Sequence, residues 1–409
     1  MAKEQINVGL EIGTSKICVV VAETRPDGPI RILGVGEAPS RGVRKGEIVD
    51  FSTASKCVHE ALADAEEKSD VEIRSVWTAV TGSHISSFNN RGAITLPEDH
   101  DEITEQDLLD VEHNAKDVTL PSTNAILHTI IQHYYVDGQT GVLDPVGMMG
   151  HQLDADFHII HGVLTRVQNT IRCIKEARIE VEDVVISGIA SAQVVVTPQQ
   201  KELGVAVLDI GGGVTDYIVY VDGAVRHSGV LAVGGDHLTN DISIGLRLPI
   251  TRAERLKIEE GSVAPEALRT NETIVLKNDA SFSGCEVERS LLNRIIEARV
   301  RELFELIRRK IEDECPLGLL GAGVVITGGC SLLNGIQSLA EEAFEIPVSM
   351  ARAHAVTGPT SAFANPQYST AIGLVRYAQA VQAETPKPSL FGQLGLKLGG
   401  LFKGGFKLI

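Results

Sequence analysis

Two stretches of the chain share one pattern of apolar and polar positions. In the opening, INVGLEIGTSKICVVVAET, Val8, Leu10 and Ile12 alternate with other residues, and residues 17–21 are β-branched and apolar. This predicts a strand, a Gly-Thr-Ser turn and a second strand. A third strand is expected at about residues 31–36. Residues 52–67 then read as an amphipathic helix with Ser52 at its N-cap.

The pattern returns at Val205 as VAVLDIGGGVTDYIVYVDG. Glu11 aligns with Asp209, Ile12 with Ile210 and Gly13 with Gly211, an offset of 198 residues. Each copy runs apolar strand, acid, Ile, glycine turn, small hydroxyl, apolar strand. A self-match at about half the chain length predicts two similar α/β halves and not a solenoid, whose repeats are far shorter.

Residues 84–162 interrupt the first half and read as an inserted α+β subdomain. Residues 98–117 within it carry nine acids and one lysine, Lys116, the pattern of a solvated helical face. A second, mostly helical insertion is expected at 250–313. Its last helix, about 286–313, puts Leu291, Leu292, Ile295, Ile296, Val300, Leu303, Phe304 and Ile307 on one face. Between Arg289 and Lys310 its polar side holds seven basic and three acidic residues. A strand and glycine turn, VVITGGCSLLNGI, follow from Val324. The single tryptophan, Trp77, is expected in the core of the first half.

The 409 residues suffice for two or three domains, and 43% hydrophobic with 22% charged residues is a globular composition. The net charge of −17 argues against broad nucleic-acid binding. No apolar run approaches the ~18 residues of a transmembrane helix, and the start, MAKEQ, lacks a signal-peptide pattern. The six cysteines, at 18, 57, 173, 285, 315 and 330, form no CxxC and read as reduced thiols. His128, His133, His151, His158 and His161 cluster in sequence without metal-ligand spacing.

Tight turns of glycine and small hydroxyls let backbone N–H groups converge on a phosphate. Gly13, Thr14, Ser15 and Lys16 form one such turn. Gly211, Gly212, Gly213 and Thr215 form the other. Glu11 and Asp209 stand at the strand ends before these turns, where carboxylates can hold the waters of Mg²⁺, and Asp216 can join them. A third element, Gly328, Gly329 and Ser331, follows the apolar strand at 324–326. Its paired glycines permit close approach of a planar base or sugar, and Ser331 is expected to cap the next helix.

EIGTSK, LDIGGGVTD and VITGGCSLLNGI, in this order, resemble the two phosphate motifs and the adenosine motif of the actin-like ATPase superfamily. Ala253-Glu254-Arg255-Leu256-Lys257 resembles its ribose-contacting AExxK helix, which implies a nucleotide role for Glu254 and Lys257. The insertion after Gly82 and the amphipathic C-terminus single out the FtsA family of bacterial cell-division proteins, over essentially the whole chain. The resemblance implies a two-lobed actin-like fold of duplicated ribonuclease-H-like halves, with ATP and Mg²⁺ in the cleft. It assigns residues 1–83, 163–200 and 360–382 to the first lobe and 84–162 to the inserted subdomain. Residues 201–245 and 314–359 become the second lobe, 246–313 its small subdomain, 383–389 a linker and 390–409 a membrane helix. It implies protofilaments and tethering of FtsZ to the cytoplasmic side of the inner membrane at the division septum. It also implies a relay to FtsN or other divisome tails.

The FtsZ tail is expected on the small subdomain, with Arg294 and Arg301 pairing its acids. For the acidic stretch 98–117, read first as a solvated face, the more specific alternative is a docking surface for basic partner tails. Many superfamily members have Asp where Glu11 stands. Hydrolysing members carry Glu or Gln on the segment that links the lobes. Residues 184–192 hold no carboxylate, and Gln193 is the one candidate, so ATP binding with slow or absent turnover is expected. The competing readings are a small-molecule kinase of the superfamily and an actin-like pilus or secretion assembly protein. The kinase reading lacks a base for a substrate hydroxyl.

Glu384 is the last acid, and the 25 residues after it carry Lys387, Lys397, Lys403 and Lys407. On a helical wheel Leu390, Leu394, Leu398, Leu401, Phe402 and Phe406 share one arc with Phe391, and Lys397, Lys403 and Lys407 fall outside it. This is the pattern of a helix lying in an anionic membrane interface. Its six glycines disfavour a helix in water, so it is expected to fold on the bilayer.

Overall fold

The computed structural model describes residues 5–26, 28–97, 102–278 and 282–384. The chain opens with an antiparallel meander, β1 (Gln5–Ile12), β2 (Lys16–Thr24) and β3 (Ile30–Pro39). The third strand is longer at both ends than its apolar core predicts. A short hairpin, β4 (Val43–Arg44) and β5 (Glu47–Ile48), leads into α1 (Phe51–Ser69). Ser52 does not cap this helix. Asp50 does, accepting from the Thr53 N–H at 3.2 Å, and Ser52 falls inside the first turn. The buried stripe Ala54, Cys57, Val58, Ala61, Leu62 and Ala65 seats α1 against β3.

Strand β6 (Ser75–Val80) returns beside β1 in parallel. The insertion then runs β7 (Ser86–Thr95), α2 (Glu105–Lys116), β8 (Asn124–Val136), β9 (Gln139–Val142) and β10 (Gln152–Val163). Its four-stranded sheet has the order β7-β10-β8-β9 and its own core around Leu153, Phe157 and Ile159. Helix α3 (Leu164–Lys175) and β11 (Glu180–Ile186) complete the first lobe, and β11 lies parallel to β6. Trp77 is buried there, its ring edge-on to Tyr377.

Helices α4 (Ser187–Val195) and α5 (Pro198–Leu203) carry the chain to the second lobe. There β12 (Val205–Ile210), β13 (Thr215–Val221) and β14 (Ala224–Leu231) repeat the meander. Helices α6 (Gly235–Leu246) and α7 (Ile250–Glu260), the hairpin β15 (Thr273–Leu276) with β16 (Cys285–Glu288), and α8 (Arg289–Glu312) follow. Then come β17 (Val324–Thr327), α9 (Ile336–Phe344) and β18 (Val348–Met350). Strand β19 (Val356–Thr357), α10 (Thr360–Phe363) and α11 (Ser369–Glu384) return to the first lobe.

The sheets read β3-β2-β1-β6-β11 and β14-β13-β12-β17-β18, with β19 added beside β3. In each, three antiparallel strands are followed by two parallel ones. The 198-residue self-match is therefore a structural duplication. Every residue of β12 is buried, as for a central strand covered on both faces. Helices α4 and α11 pack together between the sheets, in a core shared by both lobes.

On α8 the apolar stripe is buried except for Leu291, which is 40% exposed at the start of the helix, and Ile295, which is half-buried. Leu291 lies in the first turn of the helix, beside the buried Leu292. The expected linker and membrane helix, Leu390 to Lys407 included, lie outside the described residues, as do residues 98–101 of the acidic stretch.

Candidate functional site: a cleft between two matched turns

The two glycine turns close alike. Gly13 N–H donates to the Lys16 carbonyl at 3.0 Å, and Gly211 N–H to the Val214 carbonyl at 2.9 Å. They come from different lobes and meet face to face. A Cβ on Gly212 would lie 3.2 Å from Ser15 Cβ, and one on Gly213 only 2.5 Å from Thr14 Oγ1. Gly13, Thr14, Ser15, Gly211, Gly212 and Gly213 line one cleft, closed at the far side by Gly328 and Gly329. Past Ser15, Gly212, Gly329 and Gln367 the cleft opens into a cavity of about 240 Å³. Glu254, Lys257, Ile258, Cys330 and Leu333 line that cavity. Lys257 Nζ donates to Glu254 Oε2 at 2.7 Å and to the Gly235 carbonyl at 3.1 Å, which ties α7 to the start of α6.

Glu11, Asp209 and Asp216 all line the cleft. Asp209 and Asp216 are directly opposite on β12 and β13, so two like charges share one face. Burial raises Asp216 well above the usual carboxylate range, and Asp209 adds to this. Burial pushes Asp209 up to about 6 and Glu11 up to about 8, with the Asp209 charge as the second cause for Glu11. Hydroxyls oppose the rise, Thr81 at Asp216 and Thr370 and Ser191 at Asp209. Thr81 donates to Asp216 at 2.7 and 2.9 Å, and Thr370 to Asp209 at 2.8 Å. Among the described residues no three His, Cys, Asp or Glu side chains converge as a direct metal cage. The acids thus form a floor of carboxyls whose ionised forms a hydrated cation would favour, and the surrounding glycines form a cradle that Cβ atoms would fill.

Several expected residues sit otherwise. Lys16 lines the cleft, but its ammonium pairs with Glu37 at 2.7 Å and lies 3.9 Å above the Tyr368 ring. Thr215 is fully buried and donates to the Val233 carbonyl, away from the cleft. Ser331 caps no helix. It lies in the 3₁₀ turn Gly329–Leu332 and donates to the Gly328 carbonyl at 2.7 Å, and α9 begins after Gly335. Gln193 does not line the cleft, and its Nε2 is buried without a hydrogen-bond partner among the described residues.

The sequence reading missed Thr81, Ser187, Gln367, Thr370 and Cys330. A signal existed for the first: Val80-Thr81-Gly82-Ser83 ends β6 as Ile326-Thr327-Gly328-Gly329 ends β17. Ser187 and Thr370 begin the paired helices α4 and α11 and reach the cleft only through that pairing.

Residues 206–373 match the family described as "Cell division protein FtsA", and residues 82–161 match "SHS2 domain inserted in FTSA". The cell division protein FtsA of Pseudomonas aeruginosa is 35% identical over 385 residues, covering 94% of this chain and 92% of that one. The chain belongs to the FtsA family. The fold is actin-like. The PilM component of the PilM–PilN type IV pilus biogenesis complex aligns with a TM-score of 0.64 at 16% identity, covering 93% of this chain and 99% of that one. MreB5 of Spiroplasma citri bound to ADP aligns with a TM-score of 0.55 at 13% identity, covering 93% and 97%.

In this FtsA-family chain the insertion is the SHS2 domain, and it also touches the second lobe. His158 is buried between Asn89 Oδ1 at 2.7 Å and Ser228 Oγ of β14 at 2.8 Å. Ser87 and Gln132 donate to the Ser228 and Val225 carbonyls of the same edge strand. Among the described residues no metal-holding cluster includes the histidines of the insertion. His128 accepts from the Ile186 N–H, and burial lowers its pKa to about 4. On α8 the positive face is largely neutralised by the chain's own acids. Arg289 pairs with Glu260 and Glu272, Arg299 with Asp241, Arg301 with Glu297 and Glu342, and Arg308 with Glu312 and Glu345. Arg294 is exposed and makes no ion pair among the described residues. No helix among the described residues is long and apolar enough to cross a membrane.

Proposed function

We propose that this FtsA-family chain binds ATP with Mg²⁺ in the interlobe cleft and polymerises into actin-like protofilaments. Those filaments tether FtsZ to the cytoplasmic face of the inner membrane at the division septum. One observation carries the nucleotide reading: two matched glycine turns, one from each lobe, face each other over three acids, Asp209 and Asp216 buried and Glu11 half-buried. Gly13 to Ser15 and Gly211 to Gly213 would hold the phosphates. Glu254, Lys257 and Gly329 would frame the nucleoside in the adjoining 240 Å³ cavity, with Gly328 beside them in the cleft. Glu11, Asp209 and Asp216 would hold Mg²⁺ through its waters, and the bound ion supplies the positive charge that these carboxylates lack. The ADP of the Spiroplasma MreB5 structure and the filament of MamK, a double helical filament aligning with a TM-score of 0.52, agree with this reading.

Turnover is slow or absent, because Gln193 lies off the cleft and no carboxylate occupies residues 184–192. The FtsZ tail binds beside α8, with the exposed Arg294, unpaired among the described residues, meeting its acids. The tail, 390–409, anchors the filament by Leu390, Phe391, Leu394, Leu398, Leu401, Phe402 and Phe406. FtsN or another basic divisome tail docks on the acidic helix of the insertion.

The test mixes full-length protein with anionic liposomes, with and without Mg-ATP, under negative-stain electron microscopy. Protofilaments on the membrane are expected with Mg-ATP, and none after deletion of 390–409. Undiminished liposome binding by the truncated protein overturns the tail's role. Phosphate release at ~1 s⁻¹ or faster overturns the slow turnover.

A further inference from the structure

The hairpin β4–β5 reaches from the first lobe across the mouth of the cleft to the second. Its two-residue turn, Lys45–Gly46, has both φ angles positive, 51° and 75°. A lysine held there is strained relative to glycine or asparagine, so the packing around it sets its position. That packing is specific. Gly46 N–H donates to Thr14 Oγ1 at 3.0 Å, which ties the tip to the first phosphate turn. A Cβ on Gly213 would lie 2.9 Å from both Lys45 Cα and Lys45 N, so the tip rests on the second turn as well. Glu47 is anchored by Arg166 of α3 and by Ser83 Oγ.

Gly213 belongs to two cavities at once. One is the cleft itself. The other, about 540 Å³, lies just beyond it and is lined by Arg44, Lys45, Asp236, His237 and Asn240. Neither Arg44 nor Lys45 makes an ion pair among the described residues. Among the described residues lining this cavity, Asp236 is the acid that faces them, on the far wall. An anion extending from the glycine turns past Gly213 therefore meets two uncommitted cations.

We propose that the Arg44–Lys45 hairpin reads the third phosphate of a nucleoside triphosphate. Lys45 takes the terminal phosphate, and this contact reinforces the seating of the first lobe's hairpin on Gly213 of the second lobe. A diphosphate ends short of Lys45 and leaves the seating without that added contact. The inference rests on the nucleotide reading of the cleft and adds to it the residue that separates the two nucleotide states.

Isothermal titration of the full chain with Mg²⁺ and either ADP or a non-hydrolysable ATP analogue tests this. In Lys45→Met the triphosphate affinity is expected to fall about tenfold or more, with ADP affinity unchanged. Lys45→Arg is expected to keep most of the preference, because a guanidinium also binds phosphate. Unchanged ADP affinity also shows that the variant is folded. Equal losses for both nucleotides, or no loss for either, overturn the proposal while leaving the nucleotide site standing. Failure of the unsubstituted protein to bind either nucleotide overturns the cleft reading and the hairpin's role with it.

Discussion

Gly373 of α11 lies against Ala190 of α4, so close that a Cβ on Gly373 would sit 1.8 Å from the Ala190 carbonyl oxygen. These helices are the paired crossings between the lobes, and each delivers a hydroxyl to the cleft at its start, Ser187 and Thr370. Gly373→Ala is expected to force them apart, costing about 1–3 kcal/mol of stability. It is also expected to weaken nucleotide binding, because Thr370 would leave Asp209. Thermal unfolding and nucleotide titration of the same variant check both outcomes.

The acid floor predicts an unusual pH dependence. Glu11 keeps its proton to about pH 8 in the folded chain, against a usual value of 4.5. Between these values the folded state binds more protons than the unfolded state, so stability falls as pH rises. Asp209, raised to about 6, has the same sign, and the coupled acids titrate together. In EDTA, Glu11→Gln is expected to be more stable than the parent by about 1–3 kcal/mol at pH 8, and equal to it near pH 4. Mg²⁺ is expected to stabilise the parent at pH 8 and to do less for the variant. Denaturant unfolding across this pH range is the measurement.

His158 has the opposite sign. Burial between the insertion and β14 lowers its pKa to about 3, so it stays neutral while the unfolded chain's histidine protonates below about 6.5. Stability at this contact is therefore full above pH 6.5 and is lost as pH falls toward 3. His158→Gln is expected to flatten the pH profile in that window, with a loss of about 1–3 kcal/mol at neutral pH from the weakened bonds to Asn89 and Ser228. A parent and variant profile that stay parallel from pH 6.5 down to 4 would remove His158 as the cause.

On α8, Arg294 and Arg301 are expected to differ. Arg294→Glu should weaken binding of an FtsZ tail peptide about tenfold, because its charge is free. Arg301→Glu should chiefly lower stability, because it faces Glu297 and Glu342. Peptide anisotropy and thermal melts on each variant separate the two. Equal affinity losses would show that the internal ion pairs open on binding.

Much of the site was legible locally. A strand end, an acid, glycines and a hydroxyl are consecutive in the chain, so Glu11 to Ser15 and Asp209 to Gly213 could be read without knowing what faces them. The glycine pair 328–329 and the AExxK segment were readable for the same reason. The duplication was legible because both copies kept the order of apolar strand, acid and turn. Where reading failed, the cause was a partner distant in sequence. Thr370 reaches Asp209 across 161 positions. Thr215 has the right neighbours, but its hydroxyl is taken by Val233. Arg301 has one partner in local reach, Glu297, and a second, Glu342, 41 residues away on α9.

The sequence by itself determined the two meanders, their phosphate turns and the acids beside them, because each is set by backbone conformation and side-chain alternation within about twenty residues. It also carries the amphipathic pattern of the tail. Only the tertiary structure decided that the two turns face each other, that the three acids share one floor, and that the Lys45 hairpin rests on Gly213. Those relations depend on how α4 and α11 pack between the lobes. Close packing of that kind is a property of the assembled core and leaves no periodic mark in the chain.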